Sequence, residues 1–216
     1  GIPFCASRCR YCSFVSHSIE KARGLVAPYL EMLIYELATL GKAVKEAGLN
    51  LRSVYIGGGT PTALSCDELE LVMREISKNF DVLNALEYTV EGGRPDTLTY
   101  DKIETIKNLG ASRISVNPQT MKDDTLKLIG RRHTVEQAKE AFQLAREVGF
   151  TNINMDLIIG LTGENAEDVE TTLRKIGELS PDSVTVHTLA LKRAARLNIE
   201  KEQYQDKGAV QVSDML

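Results

Sequence analysis

The chain lacks any run of 18 or more apolar residues, and it lacks a charged start followed by an apolar stretch, so neither a bilayer span nor a signal peptide is read from it. The expected compartment is the cytoplasm. Positive charge is not in excess either: 26 Lys and Arg against 30 Asp and Glu leave a net charge of −4, which argues against a polybasic nucleic-acid domain held by phosphate contacts. Gly and Pro are few, 16 and 6 in 216 residues, and 43% of the chain is hydrophobic. Collagen-like and disordered classes are thereby excluded, and one large globular domain over residues 1–216 is expected. The opening Gly1-Ile2-Pro3-Phe4 does not start with Met and reads as the middle of something, so a fragment is expected.

Cysteine is scarce as well. Of four, Cys5, Cys9 and Cys12 fall within eight residues, and Cys66 stands alone. A disulfide scaffold would spread its cysteines through the chain, whereas a tight trio reads as a reduced, metal-binding site. Soft thiolates select Fe–S clusters, zinc or Cu(I). Structural zinc wants four protein ligands, and His17, five residues beyond Cys12, could complete a Cys3His set. Three thiolates on a [4Fe–4S] cluster would instead leave one iron without a protein ligand and open to chemistry.

Period gives the architecture. Short β-branched runs at 1–4, 53–56, 86–90, 113–116, 152–159 and 183–189 alternate with amphipathic stretches at 28–47, 67–79, 100–109, 124–129 with 135–148, and 166–179. Gly48, Gly110 and Gly149 each follow a helical run, where a left-handed helix stop is expected, and Pro181 marks another joint. Six βα units of roughly 35 residues nearly exhaust the chain, and helical crossovers force parallel strands. A doubly wound open sheet and a barrel with six of the usual eight units both fit.

The polar residues collect at one place. Gly57-Gly58-Gly59-Thr60, Glu91, Asn117 with Gln119, Asp156 and His187 stand at the C-terminal ends of successive strands. That edge is where ligands bind in parallel α/β folds. Taken singly, each is equally well a strand-end or capping residue.

At this point a family resemblance enters. Cys5-x3-Cys9-x2-Cys12, with Tyr11 before the third cysteine, resembles the motif of radical S-adenosylmethionine (SAM) enzymes. Within them, Ile2-Pro3-Phe4-Cys5, Gly57-Gly58-Gly59-Thr60-Pro61-Thr62 and Asp156-Leu157-Ile158-Ile159-Gly160-Leu161 resemble the oxygen-independent coproporphyrinogen III oxidase group. The resemblance implies a partial TIM barrel, a (β/α)6 radical SAM core, in which Cys5, Cys9 and Cys12 hold a [4Fe–4S] cluster and SAM chelates the fourth iron. It further implies that Tyr11 and the Ala190 backbone meet the adenine, and that Gly58, Gly59 and Thr60 approach the methionyl amino group. Glu91, Gln119, Arg131 and Asp156 then serve as nucleoside, ribose and carboxylate contacts. On residue type alone, Gln119 and Arg131 read as a solvated loop. His133 and His187 stay outside the catalytic set, because a lone His is more often a structural hydrogen-bonder.

The implied reaction is reductive cleavage of SAM to a 5′-deoxyadenosyl radical, hydrogen abstraction from a propionate of coproporphyrinogen III, and loss of carbon dioxide to leave a vinyl group. The implied partners are a tetrapyrrole substrate and an electron donor not identified by the sequence. Arg8, Arg10, Arg132, Lys192, Arg193 and Arg196 are candidate contacts for the anionic substrate, or else solvated surface charge. Glu91-Gly92-Gly93-Arg94-Pro95-Asp96 and the segment 187–193 look closest to the coproporphyrinogen dehydrogenase branch, while Leu161-Thr162 departs from the group's usual Leu-Pro. A haem-trafficking chaperone of the same group shares the cluster loop and is the alternative function. The family also has an upstream tyrosine and a C-terminal domain, so the 216-residue chain alone is expected to turn over poorly.

Overall fold

A computed structural model describes residues 1–14, 16–190 and 195. The strands are β1 (Phe4–Cys5), β2 (His17–Ser18), β3 (Ser53–Ile56), β4 (Glu87–Glu91), β5 (Arg113–Ser115), β6 (Ile153–Ile159) and β7 (Ser183–Thr188). The helices are α1 (Arg23–Glu46), α2 (Cys66–Asn79), α3 (Tyr100–Asn108), α4 (Asp123–Leu128), α5 (Val135–Glu147) and α6 (Ala166–Leu179).

Strands β3 to β7 form one sheet in chain order, every neighbouring pair parallel. A doubly wound sheet reverses its order at a switch point, whereas an unbroken sequential order is the wall of a barrel. The N-terminal segment extends that wall past β3. Ile2 bridges Gly58 in the parallel sense, with the Ile2 N–H donating to the Gly57 carbonyl at 2.7 Å and the Gly59 N–H donating to the Ile2 carbonyl at 2.7 Å. Six parallel segments make the fold a partial TIM barrel, and the open-sheet alternative is discarded.

Alternation along the strands sorts the faces. Val90, Ile114, Met155 and Leu157 are buried, part of one core with Leu69, Met73, Ile103, Phe142 and Ile176 of the helices. The alternate positions are polar and bond to one another across strands. The Arg113 guanidinium donates to the Ser183 hydroxyl at 3.1 Å, and Ser183 and Thr185 donate to Asn154 Oδ1 at 2.9 and 3.0 Å.

Several helix starts are fixed by reciprocal capping boxes, Ser65 with Glu68, Thr134 with Gln137 and Asn165 with Asp168. The expected glycine stops hold: Gly48, Gly110 and Gly149 have φ of +63°, +94° and +98°. Three boundaries differ from the sequence expectation. The first strand is Phe4–Cys5, with only a bridge at Ile2, where 1–4 was expected. Its partner β2 went unpredicted, because a two-residue strand carries no period. Helix α1 begins at Arg23 rather than at residue 28, and Pro28 lies inside it. Pro favours a first turn; inside a helix it removes one N–H, here the one that would reach the Gly24 carbonyl, and its ring crowds that same carbonyl. Among the described residues no helix is long and apolar enough to cross a membrane.

Candidate active site

Cys5 ends β1, and Cys9 and Cys12 sit on the loop that follows. All three are free thiols, Cys9 buried and the others half-buried, and all three line one cleft of about 290 Å³ at the C-terminal ends of the strands. Burial pushes the Cys12 thiol up, and the nearby Cys9 and Cys5 add to the rise, so the three sulfurs feel one another's charge. Among the described residues no three His, Cys, Asp or Glu side chains converge as a single metal ion requires. A multi-iron cluster holds its thiolates on separate corners and does not require them to converge on one point. The rival ligand His17 is exposed in β2 and is not among the residues lining the cleft. Cys66 begins α2, its sulfur 3.1 Å from the Thr105 hydroxyl.

The glycine segment after β3 forms the wall beside Cys5. A Cβ on Gly59 would lie 2.7 Å from the Phe4 carbonyl oxygen and 2.9 Å from Cys5 Sγ, so only glycine leaves room there. Gly58 has φ +117°, which L side chains rarely adopt. The buried Thr60 hydroxyl donates to Cys5 Sγ at 3.5 Å.

Two carboxylates also line the cleft, Glu91 at the end of β4 and Asp156 midway along β6. Glu91 accepts from the Tyr55 hydroxyl at 3.3 Å and from Asn117 Nδ2 at 3.4 Å. Burial and then the Asp156 charge push its carboxyl up to about 7. Asp156 accepts from Asn154 Nδ2 at 2.5 Å.

Gln119 and Arg131 are not the solvated loop that residue type alone suggests, for both are buried and both line the cleft. Gln119 takes φ +71°, held by two backbone bonds to β6, its N–H to the Asp156 carbonyl and its carbonyl from the Ile158 N–H, each 2.9 Å. Such a non-glycine conformation survives only where the surroundings impose it. Arg131 Nη1 donates to the carbonyls of Gly93 at 3.1 Å and Asn117 at 2.6 Å, and Nη2 donates to the Tyr11 hydroxyl at 3.3 Å. These three acceptors satisfy the buried guanidinium, which stays protonated as arginine does in proteins. Burial raises the Tyr11 phenol well above its ordinary value, so Tyr11 is neutral. Gln119 Oε1, Asn117 Oδ1 and Arg131 Nε are buried without a protein partner. Buried polar atoms are normally paired, so three orphans around one cleft mark where a polar ligand bonds.

The residues expected at strand ends line one cleft, but Asp156 stands in the middle of β6 rather than at its end, because the strand runs on to Ile159. Ala190 is exposed two residues past the end of β7 and is not among the residues lining the cleft. Of the cationic candidates, Arg8 is exposed, Arg10 donates to the Leu128 carbonyl at 3.4 Å, and Arg132 pairs with Glu20 at 3.3 Å in the open. None of these three lines the cleft. Lys192, Arg193 and Arg196 lie outside the described residues. His133 is buried with its pKa pushed down to about 4 by burial and then by Arg131, hence neutral, while His187 is exposed at the cleft. Sequence reasoning missed Arg94, a buried guanidinium against Cys9 Sγ; its only sequence signal is a cation between glycines and a proline just past a strand.

A carboxylate pair and a buried guanidinium lining one cleft with the thiols suit a ligand carrying both charges. Comparison with known proteins agrees. The Radical SAM superfamily model matches residues 1–176. The chain is 43% identical over 217 residues, all of this chain and 43% of the relative, to the oxygen-independent coproporphyrinogen-III oxidase-like protein HemZ of Bacillus subtilis (strain 168). It is 34% identical over 192 residues, 88% of this chain and 49% of the relative, to the heme chaperone HemW of the same strain. The solved structure of coproporphyrinogen III oxidase (HemN) from Escherichia coli, a radical SAM enzyme, matches with a TM-score of 0.85 at 26% identity over 99% of this chain and 49% of that one. The chain thus spans less than half the length of these relatives. With most of its length matched and its cysteine trio, glycine wall and carboxylates at one barrel mouth, the chain belongs to the radical SAM superfamily, whose cofactors are a [4Fe–4S] cluster and SAM.

Proposed function

We propose that this chain is the core of an enzyme that converts coproporphyrinogen III to protoporphyrinogen IX without oxygen, a step of haem biosynthesis. The observation that carries the reading is the single cleft lined together by Cys5, Cys9, Cys12, Glu91 and Asp156. When bound, the cluster, which Cys5, Cys9 and Cys12 would hold, and SAM would supply one-electron reduction and radical hydrogen-abstraction chemistry.

Cys5, Cys9 and Cys12 hold the cluster. The Gly58, Gly59 and Thr60 backbone meets the methionyl amino group, and Arg131, oriented by two carbonyls, meets the carboxylate. Glu91 balances the cationic end of SAM, while Gln119 and Asp156 take the ribose hydroxyls. Tyr11, neutral and packed under Arg131, borders the adenine. The names of HemZ and HemN support the porphyrinogen as substrate. Loss of one hydrogen atom, one electron to an acceptor and one carbon dioxide turns each reacting propionate into a vinyl group.

The HemW relatives favour a second reading, a haem carrier that keeps the cofactor site without oxidase activity. Both are tested on the full-length protein, reconstituted anaerobically with iron and sulfide and given SAM, reductant and coproporphyrinogen III. The enzyme yields 5′-deoxyadenosine together with vinyl product. Haem binding and transfer to an acceptor protein, with no vinyl product, sinks the oxidase reading in favour of the carrier.

A further inference from the structure

Arg94 follows β4 by three residues and is, among the described residues, the largest side chain essentially sealed from solvent, at 2% exposure. Its donors converge on the cysteine loop. Nη1 reaches Cys9 Sγ at 3.2 Å and the Ser7 carbonyl at 3.3 Å, and Nη2 reaches the Ser7 hydroxyl at 2.5 Å. The only carboxylate the described residues place against it is Asp96, 3.4 Å from Nε and itself 3.8 Å from His133 Nδ1. A neutral thiol is a weak acceptor and a poor neighbour for a sealed cation, whereas a sulfur that carries negative charge as an iron ligand satisfies it.

We propose that Arg94 is a positioning and charge-tuning residue for the cluster: its fork fixes the Ser7–Cys9 turn, and its permanent cation against the Cys9 sulfur favours the reduced cluster. This rests on the three-cysteine cluster assignment above. Reduction adds one negative charge, so a fixed positive charge and an N–H bond at a ligand sulfur both stabilise the reduced form and raise the potential. Arg131 adds a second buried cation near the same sulfur. Asp96 partly offsets Arg94, so the two residues should move the potential in opposite directions.

The test is an EPR-monitored redox titration of the anaerobically reconstituted full-length protein as wild type, Arg94→Gln and Asp96→Asn, with iron counted in each. At the wild-type midpoint, the reduced-to-oxidised ratio should fall roughly tenfold in Arg94→Gln and rise in Asp96→Asn. If Arg94→Gln fails to take up iron while its unfolding midpoint stays at the wild-type value, the turn-fixing role is supported and Asp96→Asn still reports on charge. If it fails to fold, Asp96→Asn decides alone: a raised ratio supports the proposal. Wild-type midpoints in every variant that binds iron overturn the Arg94 role and leave the cluster assignment standing. A wild-type protein that binds no cluster overturns both.

Discussion

Glu91→Gln separates what the carboxylate does for the ligand from what it does to the fold. In the folded chain Glu91 titrates near 7 rather than 4.5, chiefly from burial and secondly from Asp156. A raised folded pKa means the proton is held more tightly when folded, so this contribution to stability is complete below about 4.5 and is lost as pH rises through 7. The full displacement is worth up to about 3 kcal/mol. The cleft is open to water, which brings the expected figure to about 1–2 kcal/mol. Glutamine carries no such charge, so at pH 8 the apo variant should be more stable than wild type by about 1–2 kcal/mol, and at pH 4 the two should match. Binding should go the other way. Removing the partner of a cationic ligand in a half-buried site costs about 1.5–3 kcal/mol, roughly 10- to 100-fold in SAM affinity. Wild-type affinity should also fall as pH drops below 7 with Glu91 gaining its proton, while the variant stays flat. Urea unfolding at the two pH values and equilibrium dialysis of SAM into the anaerobically reconstituted protein check both. A variant less stable than wild type at pH 8, or one that binds SAM unchanged, refutes the placement of Glu91 as a strained, ligand-facing carboxylate.

Gly59→Ala should destabilise the chain by about 1–3 kcal/mol and lower iron retention, since the new methyl group has to push on the Phe4 carbonyl and Cys5 Sγ. The matching control is Gly177→Ala in α6, where nothing lies within 4 Å of the new Cβ; it should stabilise by about 0.4–1 kcal/mol in the same denaturant titration. Arg131→Lys keeps the charge but cannot serve Gly93, Asn117 and Tyr11 from a planar fork, so SAM affinity by dialysis should fall about tenfold or more with iron content unchanged.

What the sequence made legible is what chemistry writes locally. Cys5, Cys9 and Cys12 announce themselves by spacing, and the βα alternation with glycine stops at Gly48, Gly110 and Gly149 gives the order of elements. Barrel against open sheet was not legible, because strand order is a long-range property decided by pairings such as Ile2 with Gly58. Arg94 was invisible for the same reason: its partner Cys9 lies 85 residues away. Gln119 and Arg131 read as loop until the fold buries them beneath β6 and Tyr11. Helix α1 started early because tertiary packing of Val26 and Leu30 outweighs the one bond lost at Pro28.

The most direct test of the central claim, that three cysteines hold a cluster with one iron left for SAM, is the EPR spectrum of the anaerobically reconstituted, reduced protein with and without SAM, alongside metal analysis. The account predicts about four irons and four sulfides per chain, lost together in Cys9→Ala, and a spectrum that changes when SAM is added. One zinc per chain with no cluster absorbance, or a cluster whose spectrum SAM leaves untouched, would contradict it.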